Sequence, residues 1–108
     1  MKFVTESGIL RVSDVRELDE ESVDQIVEGI RAALGSETSV VTLDLTQLRG
    51  IDGNTAGLLR SIQEEFADAG GLVWRVVNPP PEARQLFELV RLHHLFEINP
   101  PRSALSLP

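Results

Sequence analysis

The sequence has no cysteine, one lysine, two histidines and no long apolar run among its 108 residues. The absence of cysteine excludes disulfides, thiolate metal sites and a cysteine nucleophile, and it fits a reducing cytoplasm. No apolar run approaches the roughly 18 residues that a membrane-spanning helix requires. Residues 1–6 lack the basic-then-apolar layout of a signal peptide, so we expect a cytoplasmic protein with no direct membrane insertion.

The composition is that of an ordinary globular protein, with 42% hydrophobic and 25% charged residues. The net charge of −7 argues against nucleic acid or an anionic membrane as the main ligand, because both require a basic patch. Lys2 is the only lysine, so nearly all positive charge comes from arginine, which suits contact with another protein. The length predicts one domain, with residues 100–108 as a frayed tail.

The acidic residues are concentrated near the start of the chain. Seven of the 17 lie between Asp14 and Glu28. One interpretation is the solvated face and first turn of a helix, where carboxylates complement the helix dipole. The other interpretation is a docking surface for a basic partner.

Hydrophobic periodicity predicts strands that alternate with helices. Two short strands, 2–6 and 8–13, surround a tight turn at Ser7-Gly8. Apolar residues at helical spacing predict a helix that begins at an Asp19 cap and runs through Leu34, with Gly35 as a left-handed C-terminal cap. Further helices are expected at 54–69 and 81–92, and further strands at 39–45, 72–77 and 95–98.

This alternation predicts an α/β fold. Strands joined by helices of about 10–16 residues imply βαβ crossovers, and therefore a small, mixed, mostly parallel sheet with helices largely on one face. One core between sheet and helices is expected. Its members should be Leu45, Leu59, Ile62, Val76, Leu86 and Phe87, with Ala83 and Val90 also facing inward.

The most informative stretch is residues 40–59, which reads as a buried strand, a polar turn and the start of an apolar-faced helix. Such a turn presents backbone N–H groups at the positive end of a helix, which suits an anion or a phosphorylated side chain. No serine stands in the turn. Asn54 occupies the position where a hydroxyl would be most useful, and Thr55 follows it. The turn is therefore either a switch or a disabled switch.

The two aspartates and two glycines near this turn do not predict a catalytic or phosphate-binding site. Asp44 and Asp52 have no histidine or cysteine placed to work with them, and Asp52 is explained as a cap that accepts from the next N–H groups. Gly50 and Gly53 do not form a phosphate-cradling loop, because no Gly-Lys-Ser/Thr follows.

The two histidines do not predict a metal site either. His93 and His94 are neighbours in sequence, and neighbours do not face each other on a helix, so they should not share one metal. We expect a helix-end or loop role for them. No enzyme, metal or cofactor is predicted.

Several short motifs, in order along the chain, carry a family resemblance. They are Leu43-Asp44-Leu45-Thr46 eight residues before Ile51-Asp52, the helix end Gly70-Gly71-Leu72-Val73, Val76-Val77-Asn78-Pro79, and Leu86-Phe87-Glu88-Leu89 with Leu95-Phe96-Glu97-Ile98. Residues 2–99 thereby resemble the STAS domain, which is shared by sulfate-transporter tails and bacterial anti-sigma factor antagonists. The resemblance implies a four- or five-stranded sheet with helices packed on one face.

The turn departs from the pattern of the family that it resembles. Antagonists typically carry Asp-Ser-Ser/Thr-Gly, and a partner anti-sigma kinase phosphorylates the second hydroxyl. On that alignment Asp52 keeps the aspartate, Gly53 replaces the first serine, Asn54 replaces the phospho-acceptor and Thr55 replaces the glycine. Either Asn54 fixes the unphosphorylated, partner-binding form, or phosphorylation has moved to Thr55.

A third alignment inserts two residues and matches Thr55-Ala56-Gly57 with a Thr-Ala-Gly motif of STAS proteins tied to lipid-transport ATPases. The ungapped spacing on both sides of the turn argues against this insertion.

The resemblance implies a non-enzymatic protein–protein interaction module, an anti-sigma factor antagonist or regulator in a partner-switching pathway. Its partner would be an anti-sigma factor or serine kinase-like protein. The alternatives are a STAS subunit of a membrane-lipid ABC transporter and a nucleotide-binding sensor domain. We expect the partner to contact the turn Asp52-Gly53-Asn54-Thr55 and a flank of Arg49, Arg60 and Gln63.

Overall fold

The computed structural model describes residues 1–100 and contains one five-stranded sheet and three α-helices. The strands are β1 (Lys2–Glu6), β2 (Ile9–Ser13), β3 (Val40–Asp44), β4 (Val73–Val77) and β5 (Glu97–Asn99). The helices are α1 (Glu20–Ala33), α2 (Thr55–Glu64) and α3 (Pro81–Leu89), and a short 3₁₀ helix spans Leu92–His94. The predicted tail lies almost wholly outside the described residues.

The strands follow one another across the sheet in chain order, β1 to β5. β1 and β2 form an antiparallel hairpin, whereas every later neighbour pairs in parallel through a helical crossover. The predicted mixed, mostly parallel sheet is confirmed. Ser7 and Gly8 join β1 to β2 with φ angles of 52° and 79°, which is the two-residue turn that matches the twist of a hairpin.

Alternation along the strands divides the sheet into two faces. One face carries the fully buried residues Leu10, Val12, Val41, Leu43, Trp74 and Val76, and the apolar stripes of all three helices pack into the same cluster. In the described part of the chain, the opposite face carries no helix, and Ile9, Arg11 and Val73 on it are partly exposed. The helices therefore cover one face, as the sequence predicts.

The core contains five of its six predicted members fully buried: Leu45, Leu59, Ile62, Val76 and Phe87. Leu86 is only half-buried, and Val90 is 40% exposed, so its predicted inward orientation is wrong. The reason is that α3 ends at Leu89, earlier than predicted, and the chain reverses at Arg91, whose φ is 58°. Leu92 and Phe96 enter the core in its place.

The predicted ends of the other two helices also need correction. α2 stops at Glu64 rather than at residue 69, because Phe66, Ala67 and Ala69 donate to carbonyls three residues back and form tighter turns. These turns bring the Phe66 ring within 5.8 Å of Trp74. Gly35 is not a left-handed cap: Leu34 ends α1 in an extended conformation, and the Gly35 N–H donates to Thr38 Oγ1 at 3.0 Å.

Among residues 1–100, the helices are all too short or too polar to cross a membrane.

Candidate functional site

The turn before α2 begins where β3 ends and is anchored by apolar side chains. Leu45 is fully buried directly after β3, and Leu48 is 6% exposed. Gly50, with a φ of 65°, then turns the chain outward, and Asp52, Gly53 and Asn54 are all exposed. The sequence therefore produces an exposed polar turn held at its root by the core.

Asp52 and Thr55 close this turn reciprocally. The Asn54 N–H donates to Asp52 Oδ1 at 2.8 Å, which confirms the predicted capping role of Asp52. The Asp52 N–H donates to Thr55 Oγ1 at 3.1 Å, and the Thr55 N–H donates to the Asp52 carbonyl at 3.2 Å. Three hydrogen bonds within four residues give the start of α2 a defined shape.

Asn54 and Thr55 occupy opposite environments although they are neighbours. The Asn54 side chain is exposed at the N-cap of α2 and makes no capping hydrogen bond. Thr55 is 2% exposed, and its hydroxyl is already engaged with Asp52. A Cβ added at Gly53 would meet nothing within 4 Å, so the turn is sterically open on that side. Of these residues, Asn54 is the one whose functional group faces solvent unbound.

The start of α1 lies beside this turn and forms an open groove of about 440 Å³ with it. We call this the docking groove; it is lined by Leu18, Asp19 and Glu20 on one side and by Asp52, Gly53, Asn54, Gly57 and Leu58 on the other. The acidic cluster and the turn are separate candidate surfaces in the sequence. The structure places part of the cluster in the same groove as the turn, because α1 and α2 are adjacent crossovers on one face of the sheet.

Asp19 caps α1 through a reciprocal pair of bonds with Ser22. The Ser22 N–H donates to Asp19 Oδ1 at 2.8 Å, and the Asp19 N–H donates to Ser22 Oγ at 2.8 Å. The backbone bond from Ser22 is the main reason that the pKa of the Asp19 carboxyl lies below its ordinary value. Three carboxylate residues, Asp19, Glu20 and Asp52, thus line the docking groove, and two helix N-termini open into it.

The predicted flank of Arg49, Arg60 and Gln63 is not gathered at the docking groove. Arg60 reaches the far side of α2, where its Nη2 donates to the Val90 carbonyl at 3.4 Å. Arg49 is exposed, and its N–H donates to the Arg16 carbonyl at 2.9 Å. Gln63 is half-buried near the end of α2.

Asp44 and the histidines lie apart from this arrangement. The Asp44 carboxylate accepts from Arg11 Nη2 at 2.7 Å and from Thr46. Burial alone would raise the pKa of Asp44, but the hydrogen bonds from Thr46 and Arg11 outweigh it and lower the pKa below its ordinary value. His93 and His94 lie in the 3₁₀ helix, and the expectation that they do not face each other is wrong: their ring centroids are 4.5 Å apart, edge to face.

The comparisons with known proteins agree with this architecture. The sequence matches the family model of the STAS domain over residues 1–104. Comparison with curated proteins returned no match.

Three solved structures share the fold. The anti-sigma factor antagonist SpoIIAA in its unphosphorylated form aligns with a TM-score of 0.62 at 20% identity, covering 97% of this chain and 92% of that one. The phosphorylated form of the Bacillus cell fate determinant SpoIIAA aligns with a TM-score of 0.59 at 20% identity, covering 97% and 96%. A Thermotoga maritima protein, TM1081, described as a candidate anti-sigma factor antagonist, aligns with a TM-score of 0.72 at 16% identity, covering 97% and 91%.

Proposed function

The chain belongs to the STAS domain family, and from that premise we propose that it is a non-enzymatic regulator of the anti-sigma factor antagonist kind. It acts in a partner-switching pathway by docking to an anti-sigma factor or serine kinase-like protein. The observation that carries this proposal is the exposed, unbound Asn54 side chain, which lies at the N-cap of α2 and at one wall of the docking groove. The likeness to SpoIIAA, which is known in unphosphorylated and phosphorylated forms, supports a switch at this turn.

The partner of this groove is a basic, hydrogen-bonding protein surface. Asp19, Glu20 and Asp52 line the groove without an arginine or lysine among its described lining residues. Leu18 and Leu58 add apolar contact area at its two walls. An arginine side chain of the partner satisfies both features, since its guanidinium pairs with carboxylates while its stem packs on apolar surface. Arg60 and Gln63 are not among the residues that line the groove and contribute less.

Asn54 holds the turn in its unphosphorylated, partner-binding form. An amide is uncharged and has no hydroxyl to accept a phosphoryl group. Thr55 is a poor substitute acceptor because its hydroxyl is buried and accepts the Asp52 N–H. Moving it to solvent would break that bond, which helps to close the turn before α2. A phosphate at this point would add about −1.5 to −2 charges beside Asp52 and so change the charge that the partner surface meets.

The phospho-acceptor assignment is tested by intact-mass spectrometry after incubation with a cognate anti-sigma kinase and ATP. We expect wild type and Thr55→Ala to stay unmodified and Asn54→Ser to gain one phosphate. A phosphate on wild type that disappears in Thr55→Ala would instead make Thr55 the acceptor.

The docking assignment is tested by titration calorimetry with the same partner. Glu20→Lys, inside the docking groove, should weaken binding about tenfold or more. Glu37→Lys is the matched control, a charge reversal at an exposed site outside the groove, and should weaken binding less. Arg60→Glu should have a smaller effect. Equal losses for Glu20→Lys and Glu37→Lys would remove the groove from the interface. A native partner that is an ABC-transporter ATPase would favour the lipid-transport alternative.

A further inference from the structure

Within residues 1–100, β1 is an edge strand whose outer backbone groups have no backbone partner. The two-residue turn at Ser7-Gly8 closes on the pair Glu6–Ile9, so the backbone groups of Glu6, Val4 and Lys2 point toward β2. The N–H and C=O groups of Phe3 and Thr5 therefore point away from the sheet, at the edge of the five-strand order. Such a row of unpaired groups is a template for another strand.

The side chains of β1 are complementary to their own two-fold image. Lys2 and Glu6 are spaced equally on either side of Val4, and all three project from the helix-free face. In an antiparallel pair centred on Val4, Lys2 lies opposite Glu6 of the second copy, and Glu6 lies opposite its Lys2. Lys2 is the only lysine of the chain, and within residues 1–100 neither it nor Glu6 forms an ion pair.

We propose that a second copy of this chain docks on β1, so that two antiparallel β1 strands join the sheets of both copies about a two-fold axis at Val4. This register places Phe3 opposite Thr5 of the second copy, and the outward groups of these residues then exchange four backbone hydrogen bonds. The two Val4 residues meet as a pair without backbone hydrogen bonds, where opposite side chains approach most closely. In this register the outward backbone groups pair with each other, each Lys2 lies opposite a Glu6, and the arrangement is two-fold symmetric.

Most side chains of β1 are exposed. Val4 is 54% exposed and would lose part of this exposure against its symmetry mate. Phe3 is half-buried beneath Gly29, where an added Cβ would lie 2.1 Å from the ring, so α1 packs closely against β1. Because the axis is perpendicular to the sheet, the helices of both copies lie on one side and the helix-free faces form one surface.

The dimer is tested by sedimentation velocity on the full chain at concentrations up to about 1 mM, since an interface this small belongs to the weak class. We expect a concentration-dependent dimer for wild type. Lys2→Glu and Glu6→Lys each turn two attractive pairs into repulsive ones and should weaken it about tenfold or more. A wild type that stays monomeric, or single variants that dimerise as wild type does, would overturn the proposal.

Mixing the two charge-reversal variants is the most specific test of the register. A Lys2→Glu copy and a Glu6→Lys copy are again complementary, so the mixture should form a heterodimer more readily than either variant dimerises alone. The doubly swapped chain should dimerise as wild type does. Failure of the mixture to associate would exclude the register.

The backbone contribution is tested separately. Thr5→Pro removes an outward N–H while Thr5→Val keeps it, so only the proline variant should lose the dimer. Circular dichroism melts of both variants show whether the hairpin itself survives. If both dimerise equally, β1 pairing is wrong.

Discussion

The starts of α1 and α2 face each other across the docking groove, yet they are built differently. At α1, Asp19 and Ser22 bind each other's backbone, so both polar side chains serve the helix. At α2, the closing bonds belong to Asp52 and Thr55, and the residue at the N-cap itself, Asn54, leaves its side chain unbound.

The difference separates a stabilising helix start from one available for contact. A side chain that caps its own helix gives up its hydrogen-bonding capacity, whereas Asn54 keeps both its donor and acceptor groups for a partner. Asp52 and Thr55 supply the local order that allows this. The contrast predicts which substitutions change stability and which change only recognition.

The largest expected loss of stability comes from truncating core residues beneath the two helix starts, and it should be similar for both helices. Ile26 of α1 and Leu59 of α2 are 1% and 0% exposed in one shared core. Truncating either to alanine should lower the free energy of unfolding by about 2–5 kcal/mol, measured in a denaturant melt. A loss below about 1 kcal/mol for Leu59→Ala alone would show that α2 is packed less firmly than α1.

A smaller effect should distinguish the caps themselves. Asp19→Ala removes the reciprocal cap of α1 and should lower the Tm by roughly 4–8 °C. Asn54→Ala removes a side chain without a capping bond and should shift the Tm by less than about 2 °C. Calorimetry of the two variants beside wild type measures both. If Asn54→Ala proved the more damaging, the proposed contrast would be reversed.

The smallest expected effect is on the loss of stability at low pH. Because the pKa of Asp19 is lowered in the folded protein, its stabilising contribution is present above the ordinary carboxyl pKa and is lost as the pH falls through the lowered one. Asp19→Asn keeps a capping oxygen but cannot titrate. Urea melts at pH 7 and pH 3 should show a smaller acid-induced loss for this variant than for wild type. Equal losses would mean that other carboxyls govern the acid response.

Local chemistry allowed much of the molecule to be predicted from its sequence. The period of the apolar residues gives the order of strands and helices, and the polar residues at two helix starts predict the Asp19 and Asp52 caps. The helix ends were less predictable. α3 ends early because Leu92 and Phe96 reach the core only if the chain reverses at Arg91. No local sequence pattern at that position predicts the reversal.

One wall of the candidate site could be predicted from the sequence, and the other could not. The exposed turn at Asn54 follows from a buried strand, a glycine and a helix start, all adjacent in sequence. Its opposite wall, Leu18 to Glu20, comes from a distant segment. In the sequence, the acidic cluster and the turn are separate candidate surfaces, because nothing local shows that they meet.

The element types, the family resemblance and the absence of a hydroxyl at position 54 follow from the sequence alone, because each depends on short segments of the chain. The burial of Thr55, the exposure of Asn54 and the groove shared by two helix starts follow instead from the packing of the whole fold. Burial and proximity depend on how neighbouring crossovers pack on a common sheet. That packing is a property of the whole core rather than of any segment.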